Sequence, residues 1–236
     1  MLALVVRGTV RLRRRGVARH AVGDRIALAA VAVGLVLLAT SAPLDAAADE
    51  RLSAHMLQHV LLGDLAPALL LVALRGPLLV FVVPRPLLRR LRPPGPIPTL
   101  ALWAAVLGAW HVPALYDYAL SHELVHEVEH GLFAAVGFGV WWQLLRGPLR
   151  RPWGALGYAL ALFALGMLLA NALVLSYRPL YPAYGSLGDQ QAAALVMLAE
   201  QALTLGTLAL VLLRAHFRTL PRRPPAAAVE RHPFAV

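Results

Sequence analysis

The sequence contains no cysteine and no lysine, and it has few charged residues for its length. The absence of cysteine excludes structural disulfides and thiolate ligands, so any metal site must use histidine, methionine or carboxylate side chains. Charged residues make up 14% of the 236 residues and hydrophobic residues 59%, whereas a soluble domain has ~25% charged residues. This composition excludes an ordinary soluble domain and predicts a protein built from membrane-spanning helices.

Six apolar runs are each close to the ~20 residues that cross a hydrocarbon core of ~30 Å. They cover residues 26–44, 52–74, 99–116, 122–145, 153–177 and 190–213. The stretch 76–83 is too short to span, and the prolines after it predict an interfacial loop. We therefore predict an all-α fold, a polytopic transmembrane bundle of six helices in residues 26–214. An Arg-rich segment (1–25) precedes it, and a disordered tail (215–236) follows it.

The arginines predict the orientation of this bundle. All 22 basic residues are arginines, and only Arg51 and Arg178 fall in the loops on the side opposite to the termini. The positive-inside rule therefore places both termini in the cytoplasm of a multi-pass protein of the bacterial plasma membrane. Despite the net charge of +10, clusters at span ends favour anionic lipid head groups over nucleic acid as partners. A signal peptide cleaved near residues 46–48 is an alternative interpretation of the first run.

Three of the predicted helices place histidines at the same level, roughly 5–12 Å below their outer ends. These candidate metal ligands are His55, His59, His111, His126 and His130. Four-residue spacing puts each of two pairs on one helix face. Because imidazole binds Zn, Cu and Fe, and unpaired polar groups are unfavourable in an apolar bundle, this layer predicts a metal or haem site. The other histidines lie at a helix end or in cytoplasmic segments and are expected to be hydrated.

Several residues in or near the spans are candidate accessory groups. Met56 carries a soft thioether, although its position next to His55 favours core packing. Asp64 and Glu200 lie near mid-membrane, where a carboxyl group is either functional or protonated and hydrogen-bonded. Asn171 is a candidate for holding an imidazole through a hydrogen bond.

Residues 126–130 read His-Glu-Val-Glu-His, which allows a catalytic interpretation. The segment matches the zinc-protease pattern H-E-x-x-H with Glu127 as general base, and the inverted pattern through Glu129. Its predicted position at the outer surface is opposite to that of site-two intramembrane proteases, and no distal Asp motif accompanies it. A zinc hydrolase is therefore the alternative, not the preferred, interpretation.

Three sequence blocks in this order resemble the multi-pass CtaG family, whose members are associated with assembly of caa-type cytochrome c oxidases. They are HMLQHVLL at 55–62, WHVPALYD at 110–117, and the histidine-bearing segment 126–130 followed by Trp141-Trp142. The segment from Asp189 to Met197 is similar to the start of that family's last conserved helix. Two departures are visible: family members commonly have seven spans, and Leu198 stands where an aromatic residue is expected.

The resemblance implies a role in maturing a respiratory oxidase, with copper held or delivered by the five histidines. It also implies Asp189 as an outer-surface residue of undefined role, and oxidase subunits or a copper donor protein as partners. The residues alone leave zinc and haem open as alternatives to copper. A zinc hydrolase and a haem-binding electron carrier are accordingly the alternatives to a non-catalytic assembly factor.

Overall fold

The computed structural model describes residues 2–16, 19–75, 78–79, 83, 85–90, 93–147, 149 and 152–219. In these residues every regular element is helical, as predicted. In chain order the helices are α1 (Leu2–Arg14), α2 (Arg19–Ala39), α3 (Ala42–Glu50), α4 (Leu52–Val60), α5 (Ala66–Ala73), α6 (Arg85–Arg90), α7 (Pro96–Trp110), α8 (Pro113–Leu120), α9 (Glu123–Leu145), α10 (Pro152–Val174) and α11 (Leu187–Thr219). A π-helical turn, Leu61–Leu65, joins α4 to α5.

Long apolar helices indicate a membrane protein. Within the described ranges, three helical segments are long and apolar enough to span: Leu52–Ala73, Trp153–Val174 and Leu187–Arg218. The number rises to five if each of two bent helix pairs is one span. Helix α9 has 23 residues, which is a sufficient length, but its first turns carry histidine and glutamate side chains that reduce its hydropathy. The count of six spans and the orientation stay predictions.

Two of the predicted spans are bent where a single helix was expected. Helices α2 and α3 meet at 50°, and α7 and α8 meet at 73°. A proline stands in the first turn of α3 and of α8, and proline disfavours helical backbone in the residue before it. Val112, just before Pro113, accordingly has an extended ψ of 120°. The prediction of continuous helices over 26–44 and 99–116 is therefore wrong in this detail.

The Arg-rich N-terminal segment is helical and packs on the bundle. Helix α1 lies against α2, with Val5 and Leu12 buried and the arginines near its end exposed. At the other end of the chain, α11 continues to Thr219. The rest of the predicted tail, 220–236, lies outside the described residues.

Helix α4 occupies the centre of the arrangement that positions the site. It packs along α11 and against α3, while the π turn that follows it packs against α9 and α2. The wider turn precedes Pro67, whose missing N–H cannot donate to the carbonyl of Gly63 as an α-helix would require. Helix α9 also packs against α7 and α5, and α10 packs along α11.

A pair of glycines forms the contact between α9 and the π turn. A Cβ atom at Gly137 would overlap the backbone of Gly63, and one at Gly63 would lie 3.3 Å from the Cβ of Phe133. Glycine at 137 therefore permits an approach of the two backbones that any side chain would prevent.

This contact predicts a position-specific effect of a single methyl group. Gly137→Ala should destabilise the protein by about 1–3 kcal/mol, because the two helices must separate to accommodate the added carbon. Gly131→Ala is the matched control, since it adds the same methyl to the same helix where nothing lies within 4 Å. Thermal unfolding in detergent measures both; equal stability of the two variants would contradict the role assigned to Gly137.

Candidate metal centre

Two helices present paired histidines to each other at one end of the bundle. His55 and His59 are one turn apart on α4, and His126 and His130 are one turn apart on α9. The pairs face each other: the ring centroids of His55 and His126 are 4.9 Å apart, and those of His59 and His130 are 5.3 Å apart. We refer to these four residues as the histidine cluster. Its formation agrees with the shared helix face expected from the four-residue spacing.

The donor atoms of the histidine cluster are near enough to share an ion. Nε2 of His55 lies 2.9 Å from Nε2 of His59. The donor atoms of His55, His126 and His130 lie within 4.8 Å of one another, and so do those of His55, His59 and Glu129. For comparison, two nitrogen ligands at ~2.0–2.1 Å from a tetrahedral ion are about 3.3 Å apart. His55 belongs to both sets and is therefore the centre of the arrangement.

Glu129 is the acidic member of the site and is fully buried. Its Oε1 lies 3.4 Å from Nε2 of His59 and 4.0 Å from Nε2 of His55. In the described part of the chain, neither carboxyl oxygen of Glu129 and neither Nε2 of His126 and His130 has a hydrogen-bond partner. Buried polar atoms without partners are unfavourable, and a cation among them would satisfy them together.

Two tyrosines fix the orientation of the central imidazole. The hydroxyl of Tyr184 donates to the carbonyl of Ala48 at 2.9 Å and lies 3.3 Å from Nδ1 of His55. The hydroxyl of Tyr116 lies 3.0 Å from that of Tyr184. Burial raises the pKa of Tyr184 well above its ordinary value, so the phenol keeps its proton and continues to donate. His55 Nδ1–H can then donate to Tyr184, which leaves Nε2 without a proton, so that its lone pair can bond to an ion in place of the contact to His59.

His111, the fifth predicted ligand, lies apart from the histidine cluster. It occupies the bend between α7 and α8, and its Nδ1 donates to the carbonyl of Leu107 at 2.7 Å. Its ring lines a cavity beside the cluster together with His59 and the predicted accessory residue Met56. His111 is absent from both sets of converging donor atoms found among the described residues.

The two carboxyl groups predicted at mid-membrane line the same cavity. They belong to Asp64, in the π turn, and to Glu200, on α11. Trp141 Nε1 donates to Asp64, and the hydroxyl of Thr204 lies 2.7 Å from Oε1 of Glu200. Each carboxyl group at the cavity thus has a hydrogen-bond donor of its own.

Other candidates point away from the histidine cluster. Glu127 is exposed, in contrast to Glu129 two residues later. The amide nitrogen of Asn171 donates to the carbonyl of Met167 at 2.8 Å. His122 is exposed and donates to the carbonyl of Tyr118 at 2.9 Å. These positions favour Glu129 over Glu127 as the carboxylate that acts with the histidines.

Asp189 holds the first turn of the histidine-bearing helix α4. Its Oδ2 accepts a hydrogen bond from the Leu52 amide at 2.6 Å, and its Oδ1 accepts one from the Ser53 hydroxyl at 2.5 Å. Arg51 at the N-cap offers no side-chain cap. A carboxylate at this position satisfies free N–H groups and complements the helix dipole. Asp189, at the start of α11, thereby ties the last helix to α4.

Comparison with protein families identifies the chain. The sequence model of the Caa3_CtaG family, described as cytochrome c oxidase caa3 assembly factor, matches residues 3–219. The chain belongs to the Caa3_CtaG family. The match covers α1 through α11 and agrees with the resemblance noted from the histidine blocks. Searches among curated proteins and among solved structures gave no match.

Some residues that build this Caa3_CtaG site were not singled out by sequence analysis. Tyr184 lies in the loop between α10 and α11 and reaches His55 only through the fold. Gln58, fully buried, donates to the carbonyl of Ala39 at 2.9 Å and to Oδ1 of Asp45 at 3.2 Å, and so links α4 to the bent α2–α3 pair. In the sequence, this buried polar contact was indicated by the amide of Gln58, which lies between two histidines of an apolar helix.

The Asp189 cap predicts a defined loss of stability. Asp189→Ala should destabilise the protein by about 1–2 kcal/mol, because the first turn of α4 loses its acceptors. Asp117→Ala, in the middle of α8, is the control for removing a carboxylate from this end of the bundle. The measurement is thermal unfolding in detergent, and an Asp189→Ala protein as stable as Asp117→Ala would argue against the cap.

Proposed function

We propose that the protein binds a transition-metal ion at the histidine cluster and Glu129, and that the ion is copper handled during maturation of cytochrome c oxidase. The observation that carries this proposal is the convergence of buried imidazole nitrogens and a buried carboxylate without hydrogen-bond partners among the described residues. Family membership supplies the oxidase-assembly role and implies association with the oxidase and the membrane. The choice of copper rests on the resemblance of the histidine blocks to this family.

The candidate ligand atoms suit a metal ion of borderline softness that is bound without an organic cofactor. Three or four imidazoles with one carboxylate suit Cu(II) and Zn(II) alike, so ligand chemistry alone does not select copper over zinc. The tautomer that Tyr184 imposes on His55 is the arrangement found in most histidine ligands, where the second ring nitrogen is hydrogen-bonded. In this proposal the protein acts without catalysis, by holding the ion near one face of the bundle for transfer.

The geometry disfavours the two alternative functions. A haem held between two histidines needs room for a porphyrin between facing rings, whereas the facing rings of His55 and His126 have centroids only 4.9 Å apart and those of His59 and His130 5.3 Å apart. A zinc hydrolase of the H-E-x-x-H type needs Glu127 beside the metal, but Glu127 is exposed. Glu129 lies close enough to the histidines to be a ligand, a position that the general base of the inverted pattern would also occupy.

Metal content of the purified protein tests the proposal. We expect His55→Ala/His130→Ala to lose the copper or zinc that the wild-type protein retains after dialysis in detergent. His122→Ala, an exposed histidine just before α9, should retain it. Glu129→Gln should lower the affinity, because it removes the negative charge, while Glu127→Gln should not. Elemental analysis gives the readout, and equal metal content in the double variant and in His122→Ala would refute the assigned ligands.

The tyrosine contact generates a second prediction for the same ion. Tyr184→Phe should weaken metal binding about 10-fold to 100-fold, because His55 loses the acceptor that fixes its tautomer. Tyr177→Phe is the matched control, since Tyr177 lies in the same loop and is fully exposed. Competition with a chelator of known affinity measures the difference. Unchanged binding in Tyr184→Phe would mean that the hydroxyl does not orient His55.

A further inference from the structure

A cavity lies directly beside the histidine cluster, between α4, the π turn, α7, α9 and α11. It provides about 70 Å³ of space, several times the ~10–15 Å³ that a single water needs on the same measure. Its walls include two imidazoles, two thioethers and two carboxyl groups: His59, His111, Met56, Met197, Asp64 and Glu200. So many donor groups around one small cavity are unusual for a space that only fills a packing gap between apolar helices.

His111 lines this cavity and has a ring nitrogen without a proton or a partner among the described residues. Because its Nδ1 donates to the Leu107 carbonyl, the neutral ring carries no proton on Nε2. That Nε2 is buried and lacks a hydrogen-bond partner among the described residues, and the whole residue is 8% exposed. Histidines that bind metals are commonly held in this way, with the second nitrogen bonded to a backbone carbonyl. His111 is therefore prepared to act as a ligand, although it lies outside the histidine cluster.

His59 lies between the cluster and the cavity. Its Nε2 is the atom that contacts His55 and Glu129 in the cluster. Its Nδ1, on the other side of the ring, is buried and has no hydrogen-bond partner in the described ranges. The His59 ring thus has one nitrogen in the cluster and a second nitrogen without a partner in the described ranges. The same ring lines the cavity.

Two buried thioethers give the cavity a different ligand character from the cluster. Met56 on α4 and Met197 on α11 are 2% and 9% exposed and both line the cavity. Methionine packs well in any apolar core, and both residues belong to a packed apolar cluster with Tyr116 and Ala194. Their place in the wall that His111 also lines adds a chemical property that core packing does not require, because thioether sulfur prefers Cu(I) over Zn(II) and Cu(II).

The carboxyl pair supplies the charge that a cation in this position requires. An unbalanced charge inside an apolar bundle is strongly unfavourable, so intramembrane cations are found with acidic partners. Asp64 and Glu200 both line the cavity, and ionisation of one carboxyl group would supply a single negative charge. Gln201, 9% exposed, adds a wall oxygen without a hydrogen-bond partner among the described residues.

From these contacts we propose that the cavity is a second cation site, distinct from the histidine cluster, which binds a soft univalent ion of the Cu(I) class. Nε2 of His111 and the thioethers of Met56 and Met197 are the ligands, and His59 links this site to the cluster. The proposal goes beyond the cluster's function, because it divides the protein into two sites of different ligand chemistry that lie side by side.

Silver(I) tests this site, since it is soft, univalent and does not change oxidation state under the assay conditions. The full chain is purified in detergent and titrated calorimetrically with Ag(I) and, separately, with Zn(II). We expect Met56→Leu/Met197→Leu to weaken Ag(I) binding at least about 10-fold, which corresponds to ~1.4 kcal/mol, and to leave Zn(II) binding unchanged. Leucine conserves the volume of methionine, so the variant should fold.

Met167→Leu is the matched control, because it replaces a methionine by leucine on α10, where Met167 does not line the cavity. This variant should bind both ions like the wild-type protein. Ag(I) binding equal to wild type in the double methionine variant would overturn the proposal. A parallel loss of Ag(I) and Zn(II) binding would also overturn it, since it would indicate a single shared site.

His55→Ala/His130→Ala separates this inference from the proposed function. It should lose Zn(II) but keep Ag(I); retained Zn(II) would refute the cluster ligands and leave the cavity result standing.

Discussion

The close contact between α9 and the π turn is the constraint on which the rest of the site depends. Imidazole and carboxyl side chains reach only a few ångströms from the backbone, so two helices must approach closely before their donor atoms can converge. Glycine at 63 and 137 permits this approach. If the helices were separated, each buried nitrogen and carboxyl oxygen would be left without either a partner or an ion, which an apolar surrounding makes unfavourable. The packing of these helices therefore determines the geometry of the candidate ligands.

Local patterns in the sequence predicted the helical fold and the pairing of the histidines, because hydropathy and four-residue spacing depend only on near neighbours. They did not predict which helix faces would meet. His111 shares a level with the cluster, yet the proline-induced bend after it directs its ring to the adjacent cavity. Glu127 and Glu129 are indistinguishable as a motif, but their helix positions leave one exposed and the other buried. The role of Asp189 depends on a contact across 137 residues, which no local pattern encodes.

The polar groups of the bundle fall into two neighbouring environments with different preferences. The cluster offers imidazole and carboxylate, which bind divalent ions, while the cavity offers thioether and imidazole beside a pair of carboxyl groups. A protein of the Caa3_CtaG family serves the assembly of an oxidase, and two environments of different ligand chemistry would suit different metal ions. A single ring, His59, belongs to both environments, so occupation of one would alter the electrostatics of the other.

The cap that Asp189 places on α4 has a consequence for the order in which the molecule is made. Chains emerge from the ribosome N-terminus first, so α4 and α9 are synthesised before the residue that secures the start of α4. Tyr184, which orients His55, also arrives late. A nascent polypeptide would therefore carry all four histidines of the cluster for some time without their fixed arrangement. The final arrangement of these four side chains must therefore await the last helix.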